Sequence, residues 1–103
     1  MNRLQLFPDS TTIENDSLQI AGLSLASLAD RYLTPLYIYD ALTLNASVKS
    51  YTDALAVYYP APSHITYAGK AFLCKAIAEW VQGYDLFWIV RAKVKLPSQL
   101  RAV

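Results

Sequence analysis

The middle of the sequence alternates short apolar runs with longer stretches that carry apolar residues at helical spacing. The short runs lie at residues 36–39, 65–68 and 86–90. The order strand, helix, strand, helix, strand predicts parallel strands joined by crossover helices, in a sheet that is covered on both faces. A closed barrel of eight such units takes roughly 250 residues, whereas this sequence has 103. We therefore expect an α/β fold that holds the first units of a larger barrel and cannot close it.

Changes of pattern divide the chain into four parts. A polar N-terminal arm, a segment with a short strand and a helix, the alternating units and a basic tail follow one another at residues 1–17, 18–40, 41–87 and 88–103. The run 18–20 alternates apolar and polar residues, which predicts a strand. The arm has only weak patterning, so no element is predicted in it.

Single residues predict where several elements begin and end. Gly22 is expected in the turn after the first strand, and Ser24 and Asp40 are expected to cap the two helices that follow them. The third helix has a broad apolar face that starts at Phe72. Gly83 is expected as the residue that ends this helix.

Composition excludes several classes of protein. Apolar residues make up 54% of the chain and charged residues 17%, which is too apolar for a disordered segment or a nucleic-acid binder that relies on bulk charge. The one cysteine excludes an internal disulfide framework. No apolar run reaches the roughly 18 residues of a membrane span, and the N-terminus lacks a signal-peptide pattern. These observations predict a cytoplasmic protein that binds neither membrane nor nucleic acid.

The net charge of +1 hides a division along the chain. Residues 1–90 carry five basic and eight acidic groups, a sum of −3, whereas residues 91–103 carry four basic groups and no acid, a sum of +4. A shift of this kind is typical of a tail, a domain junction or a change in what the gene encodes.

Lys70 is the strongest candidate for chemistry. It follows Gly69 where an apolar strand ends, and reactive groups gather at such ends in parallel α/β folds. Apolar neighbours would reduce the hydration of its ammonium and favour the neutral amine, which attacks an aldehyde to form a Schiff base. A solvated lysine in a strand-to-helix turn is the alternative that the local sequence leaves open.

Two linked motifs resemble the diaminopimelate decarboxylases. They read Thr-Pro-Leu-Tyr-Ile-Tyr-Asp at 34–40 and Tyr-Ala-Gly-Lys-Ala-Phe at 67–72, and Leu-Ala-Asp-Arg-Tyr at 28–32 precedes them as in that family. The likeness covers roughly residues 18–87. Many members have Asn where this chain has Phe72, a departure that concerns the substrate more than the cofactor.

The resemblance implies a fold, a cofactor and a reaction. The family has the alanine-racemase-like fold, a pyridoxal phosphate (PLP)-binding (β/α)8 barrel with a β domain, so residues 18–40 would belong to the β domain and 41–87 would start the barrel. Lys70 matches the lysine that holds PLP covalently. The family's substrate is meso-diaminopimelate, its products are L-lysine and CO₂, and its intact members are homodimers. Membership would make this chain part of an enzyme of lysine biosynthesis.

Other residues have weaker claims to a role. Tyr67 is a candidate to pack beside the cofactor ring, with core packing as an equal alternative. Cys74 is expected in the core on the third helix. His64 has no second His or Cys at ligand spacing, so no metal site is predicted. No glycine-rich phosphate loop occurs in the sequence. The sequence therefore has the candidate lysine of a PLP site but no loop to bind the PLP phosphate.

The resemblance stops near Trp88, where we hypothesise a frameshift. Trp has one codon, so the codon that overlaps Trp88 and Ile89 in the shifted frame encodes Asp, as the family has there. With permitted codon choices, the shifted frame continues into a Gly-x-Gly-Glu loop and an apolar helix start. The alternative is a genuine basic tail. We expect the 103-residue chain to be an inactive N-terminal fragment, because it holds two barrel strands, no phosphate loop and no downstream substrate-binding residues.

Two further interpretations remain open. One is a different alanine-racemase-like decarboxylase that acts on ornithine, arginine or carboxynorspermidine. The other is a small non-enzymatic binding module whose basic tail, residues 91–103, docks an acidic partner.

Overall fold

A computed structural model describes residues 3–89 of the chain. The chain divides into two compact units, Met1–Tyr51 and Thr52–Val103. After a 3₁₀ turn at Arg3–Leu6, its elements are β1 (Thr11–Glu14), β2 (Ser17–Ile20), β3 (Leu23–Ser24), α1 (Leu25–Tyr32), α2 (Ala41–Tyr58), β4 (Thr66–Ala68), α3 (Lys75–Gly83) and β5 (Phe87–Ile89). This is a small α/β arrangement, and within residues 3–89 its two sheets do not close a barrel. The expected α/β class is confirmed.

The first unit contains an antiparallel sheet of β1, β2 and β3. Asn15 and Asp16 connect the first two strands with φ of 51° and 58°, and Ala21 and Gly22 connect the next two with 51° and 77°. Two-residue turns with positive φ match the twist of antiparallel strands. The turn predicted at Gly22 is confirmed. Strand β1 lies in the stretch expected to be an arm, where its pairing with β2 supplies the order that its own sequence pattern does not indicate.

Helix α1 begins as predicted and packs against this sheet. The Ser24 hydroxyl accepts a hydrogen bond from the Ser27 amide at 3.4 Å, which caps the helix. The strand predicted at residues 36–39 is wrong, because neither sheet in the described part of the chain includes that run. A β-prone sequence becomes a strand only when a neighbour supplies its backbone hydrogen bonds. Tyr37 is 88% exposed in this run.

Asp40 joins the start of α2 to the β1–β3 sheet. Its carboxylate accepts hydrogen bonds from the amides of Leu42 (3.2 Å) and Thr43 (3.3 Å), from the Thr43 hydroxyl and from the Ser10 hydroxyl (2.7 Å). The Ser10 oxygen in turn accepts from the Ala21 amide at 2.9 Å. Hydrogen bonds keep the pKa of Asp40 below its usual value, although burial acts in the opposite direction. The Thr43 hydroxyl has the largest effect, and the Ser10 hydroxyl and the amides of Leu42 and Thr43 add to it. The predicted cap is confirmed, and it also tethers the turn between β2 and β3.

The second unit is a parallel strand–helix–strand unit. Strand β4 pairs with β5 in parallel, with Tyr67 opposite Trp88, and α3 connects them, as the alternating pattern predicts. Trp88 and Val81 are fully buried. Among the described residues of this unit, Ile77, Ala78 and Leu86 are buried as well. The core therefore lies between the strand pair and α3.

Both ends of α3 differ from the prediction. The helix begins at Lys75 after Cys74, so Phe72 lies in the loop before it. At the other end Asp85, not Gly83, has the left-handed backbone, with φ of 53°. The amides of Asp85 and Leu86 donate to the carbonyls of Gln82 (3.0 Å) and Val81 (3.1 Å). These two bonds form a Schellman motif, whose left-handed residue is usually glycine.

Residues 90–103 lie outside the described residues, and with them lies nearly all of the tail to which the frameshift and basic-tail hypotheses apply. Trp88 and Ile89, where the resemblance was expected to stop, belong to β5. Among the described helices, none has the length and apolar character that crossing a membrane requires.

Candidate active site

Lys70 lies in a tight turn at the carboxyl end of β4. The Gly69 amide donates to the Ile89 carbonyl at 2.8 Å, which extends the ladder between β4 and β5 by one residue. The Ala71 amide donates to the Ala68 carbonyl at 3.1 Å, which closes the turn. Lys70 is therefore held between two residues whose backbones are hydrogen-bonded. This is the strand-end position that the sequence predicts for it.

The predicted loss of hydration at Lys70 is not found in the described part of the chain. Lys70 is exposed, and so are its neighbours Ala71 and Leu73. Two short strands and one helix are too few to cover the carboxyl end of β4. An exposed amine is accessible to an aldehyde, whereas activation by desolvation would require further covering elements.

The β4–β5 pair has two different faces. Tyr67 and Trp88 lie on the face that packs against α3, where the Tyr67 ring meets the Trp80 ring edge-on with centroids 6.0 Å apart. Side chains alternate along a strand, so Ala68 and Phe87 lie on the opposite face. That face is half-buried, and Ile89 at its end is 48% exposed. It is the apolar surface that leads towards the Lys70 turn.

Tyr67 is held by aromatic packing and by its hydroxyl. Its ring lies 5.3 Å from the Trp88 ring, centroid to centroid, in addition to the Trp80 contact. Its hydroxyl donates a hydrogen bond to the Phe72 carbonyl at 2.8 Å. These contacts match the core-packing alternative for Tyr67, and its place beside a cofactor ring stays a prediction.

The other candidates lie apart from a common site. Cys74 is a half-buried free thiol at the start of α3, not within the helix as predicted, and its side chain makes no capping bond. His64 is exposed and stacks on Phe87 with ring centroids 3.9 Å apart. It precedes β4, at the opposite end from Lys70. Within residues 3–89, no group of three or more His, Cys, Asp or Glu side chains could hold a metal ion.

Sequence reasoning missed the aromatic cluster of Tyr67, Trp80 and Trp88. These rings come from β4, α3 and β5 and pack under the loop that carries Lys70. Two members could have been found from the sequence, because Tyr67 and Trp88 lie in two predicted strands that pair in parallel. Large aromatic residues on such strands commonly dominate core packing. Trp80 of α3 completes the cluster. The side of the helix on which Trp80 lies could not be deduced from residue spacing alone.

No family model matches the chain. Curated relatives named diaminopimelate decarboxylase do match it, and by that name they are carboxy-lyases. The relative from Synechocystis sp. is 32% identical over 93 residues, which cover 81% of this chain and 20% of that protein. The relative from Corynebacterium efficiens is 35% identical over 89 residues, 86% of this chain and 18% of that protein. The relative from Staphylococcus aureus is 30% identical over 92 residues, 86% and 21% respectively.

The matches therefore cover most of this chain and about one fifth of each relative. They extend over a larger share of the chain than residues 18–87, on which the two motifs lie. The chain belongs to the diaminopimelate decarboxylase family as a segment that spans about one fifth of a member's length.

Proposed function

We propose that this segment supplies the lysine that anchors PLP in an amino-acid decarboxylase, and that this lysine is Lys70. One observation carries the proposal: Lys70 presents an exposed amine from a hydrogen-bonded turn at the carboxyl end of a parallel strand. The homology to relatives named diaminopimelate decarboxylase supports the reaction class. The described residues fit the anchoring part of a PLP site, because a Schiff base needs an accessible amine.

The unit of β4, α3 and β5 supports a barrel as the fold of the whole protein. A parallel strand–helix–strand unit is the repeat of a (β/α)8 barrel, and in such barrels the active site lies at the carboxyl ends of the strands. Lys70 is at this end of β4. We infer that residues 41–87 begin a PLP-binding barrel and that residues 18–40 belong to a β domain.

The chemistry divides between cofactor and protein. When bound, PLP supplies an electron sink for the electron pair left behind as CO₂ departs. Lys70 would hold the cofactor covalently through Nζ. The same Nζ, when it is not bonded to the cofactor, would be the group of this segment that can hold or move a proton. The four-carbon stem of the lysine lets Nζ move while the turn keeps its backbone in place.

The substrate that we propose is meso-diaminopimelate, with L-lysine and CO₂ as products. The names of the relatives support this choice. The alternatives are the related decarboxylases of ornithine, arginine or carboxynorspermidine, since Phe72 departs from the family's usual Asn. We expect the intact protein to form a homodimer. We expect the 103 residues alone to be inactive, since they lack a phosphate-binding loop.

A chimera tests the role of this segment. Residues 3–89 replace the homologous segment of the Corynebacterium efficiens relative, and CO₂ release is measured with meso-diaminopimelate, ornithine and arginine. We expect release from meso-diaminopimelate alone. Lys70→Ala should reduce it at least about 10³-fold, because the amine acts as both anchor and proton carrier. Lys75→Ala is the matched control, since its exposed side chain lies on α3, and it should leave the rate unchanged.

Covalent labelling identifies the anchor directly. The chimera is treated with borohydride, which reduces a Schiff base to a stable amine, and the pyridoxyl group is located by peptide mass spectrometry. We expect it on Lys70. A folded, PLP-containing chimera with the label on another lysine, or an active Lys70→Ala variant, would contradict the proposal.

A further inference from the structure

The loop between β4 and α3 is fixed by hydrogen bonds on both sides of Lys70. On one side, the Gly69 amide is bound to β5. On the other, the Ala71 amide is bound to Ala68, and the Phe72 carbonyl accepts from the Tyr67 hydroxyl. The last of these bonds spans the loop, because its donor stands before Lys70 and its acceptor after it.

The Tyr67 ring is itself immobilised, which makes its hydroxyl a fixed donor. Trp80 of α3 and Trp88 of β5 contact the ring from two elements, and Trp88 is fully buried. A hydroxyl on a clamped ring loses little entropy when it forms a hydrogen bond. The aromatic cluster therefore holds the far end of the Lys70 loop through the hydrogen bond from Tyr67 to the Phe72 carbonyl.

From this arrangement we propose that Tyr67 is a positioning residue for Lys70: its hydroxyl, by binding the Phe72 carbonyl, holds closed the loop that presents the lysine. In this role Tyr67 acts through the backbone. The consequence for the reaction rests on the proposed function, whereas the closure of the loop does not. A fixed backbone with a free side chain suits a lysine that must return to one place after each proton transfer.

Tyr67→Phe removes the hydroxyl and keeps the ring. The net worth of one neutral hydrogen bond corresponds to about a fivefold change in an equilibrium constant. We therefore expect the opening equilibrium of the loop to rise about fivefold. Tyr84→Phe is the matched control: it deletes the same group from a ring that also packs on Trp80, with centroids 5.7 Å apart, but outside the loop.

Amide hydrogen exchange, resolved by residue in the 103-residue chain without cofactor, measures this opening. The Ala71 amide, which donates to the Ala68 carbonyl, reports on the loop. The amides of Gly69, Ala78 and Phe87, which donate to Ile89, Cys74 and Ile65, report on the strand pair and α3. In Tyr67→Phe we expect about fivefold faster exchange at Ala71 and no change at the other three. Equal acceleration at all four would make Tyr67 a general stabiliser and overturn the proposal, as would no acceleration at all.

The active chimera gives the second readout. Tyr67→Phe should lower kcat, by at most about fivefold, and leave KM nearly unchanged, because a displaced lysine slows the chemical steps without altering substrate contacts. A rise in KM at constant kcat would overturn the positioning role. If the chimera with intact Tyr67 were inactive, the proposed function would fail, while the exchange experiment would still decide whether Tyr67 closes the loop.

Discussion

Replacement of Asp40 should destabilise the first unit more than any exposed substitution. The carboxylate is 6% exposed and accepts hydrogen bonds from two amides and two hydroxyls. Loss of an N-cap costs about 1 kcal/mol. Hydrogen bonds to a charged group contribute about 1.5–3 kcal/mol each, and Asp40→Ala leaves the hydroxyls of Ser10 and Thr43 without their acceptor. Together these terms give a loss of about 3 kcal/mol, after allowance for water that replaces part of the bonding.

The same carboxylate makes stability depend on pH. Its pKa in the folded chain lies below that in the unfolded chain, chiefly because of the Thr43 hydroxyl. Between the two values the unfolded chain binds more protons, so stability rises with pH. The contribution is therefore complete above about pH 4, near the pKa of an unfolded aspartate, and is lost as the pH falls through the folded value.

Urea unfolding followed by circular dichroism, from pH 2.5 to 7, measures both effects in the 103-residue chain. Asp40→Asn keeps one acceptor oxygen, so it should lose less than Asp40→Ala and should flatten the pH dependence below pH 4. Asp30→Asn, on the exposed side of α1, is the control and should change neither. The reasoning would be refuted by an Asp40→Ala variant as stable as the parent at pH 7, or by a parent whose stability does not fall in acid.

Three further predictions concern the second unit. Asp85→Gly should stabilise the chain by about 1 kcal/mol in urea unfolding, because glycine adopts the left-handed backbone without cost, whereas Asp85→Ala should not stabilise it. Trp88→Ala should cost about 3–5 kcal/mol, since its fully buried ring leaves a cavity; a melting temperature unchanged from the parent would contradict this. The chain should bind the dye ANS in its folded state, because large apolar residues such as Leu6 (83% exposed), Tyr37 (88%) and Tyr58 (84%) are exposed; titration without fluorescence enhancement would contradict it.

The strand predicted at residues 36–39 failed for a physical reason. Residues 36–39 have the β-branched and aromatic character of a strand, but β-propensity describes a fit to a neighbouring strand and a covered face. In the described part of the chain neither is present, and Tyr37 and Tyr39 remain exposed at 88% and 48%. The run has the propensity of a strand, but no strand among residues 3–89 pairs with it.

Local signals were sufficient at the starts of α1 and α2, where the stabilising contact is local. Ser24 and Asp40 cap helices because their oxygens reach amides two or three residues away, and such contacts are encoded by adjacent residues. The order of strand and helix runs likewise predicted the parallel pairing of β4 with β5. Two strands joined by a helix usually pair in parallel, because parallel strands need such a crossover connection. The sequence also located Lys70 at a strand end.

Tertiary structure decided what depends on residues that are distant in the chain. It made residues 11–14 a strand, because β2 supplies their partners. It left Lys70 exposed, because the residues described around it do not cover it. It turned Tyr67 towards α3 and gave its hydroxyl the Phe72 carbonyl. The identity of a side chain determines which bonds it is able to form. Its burial and its partners depend on which elements pack together, and the residues that determine this packing are spread over the whole chain.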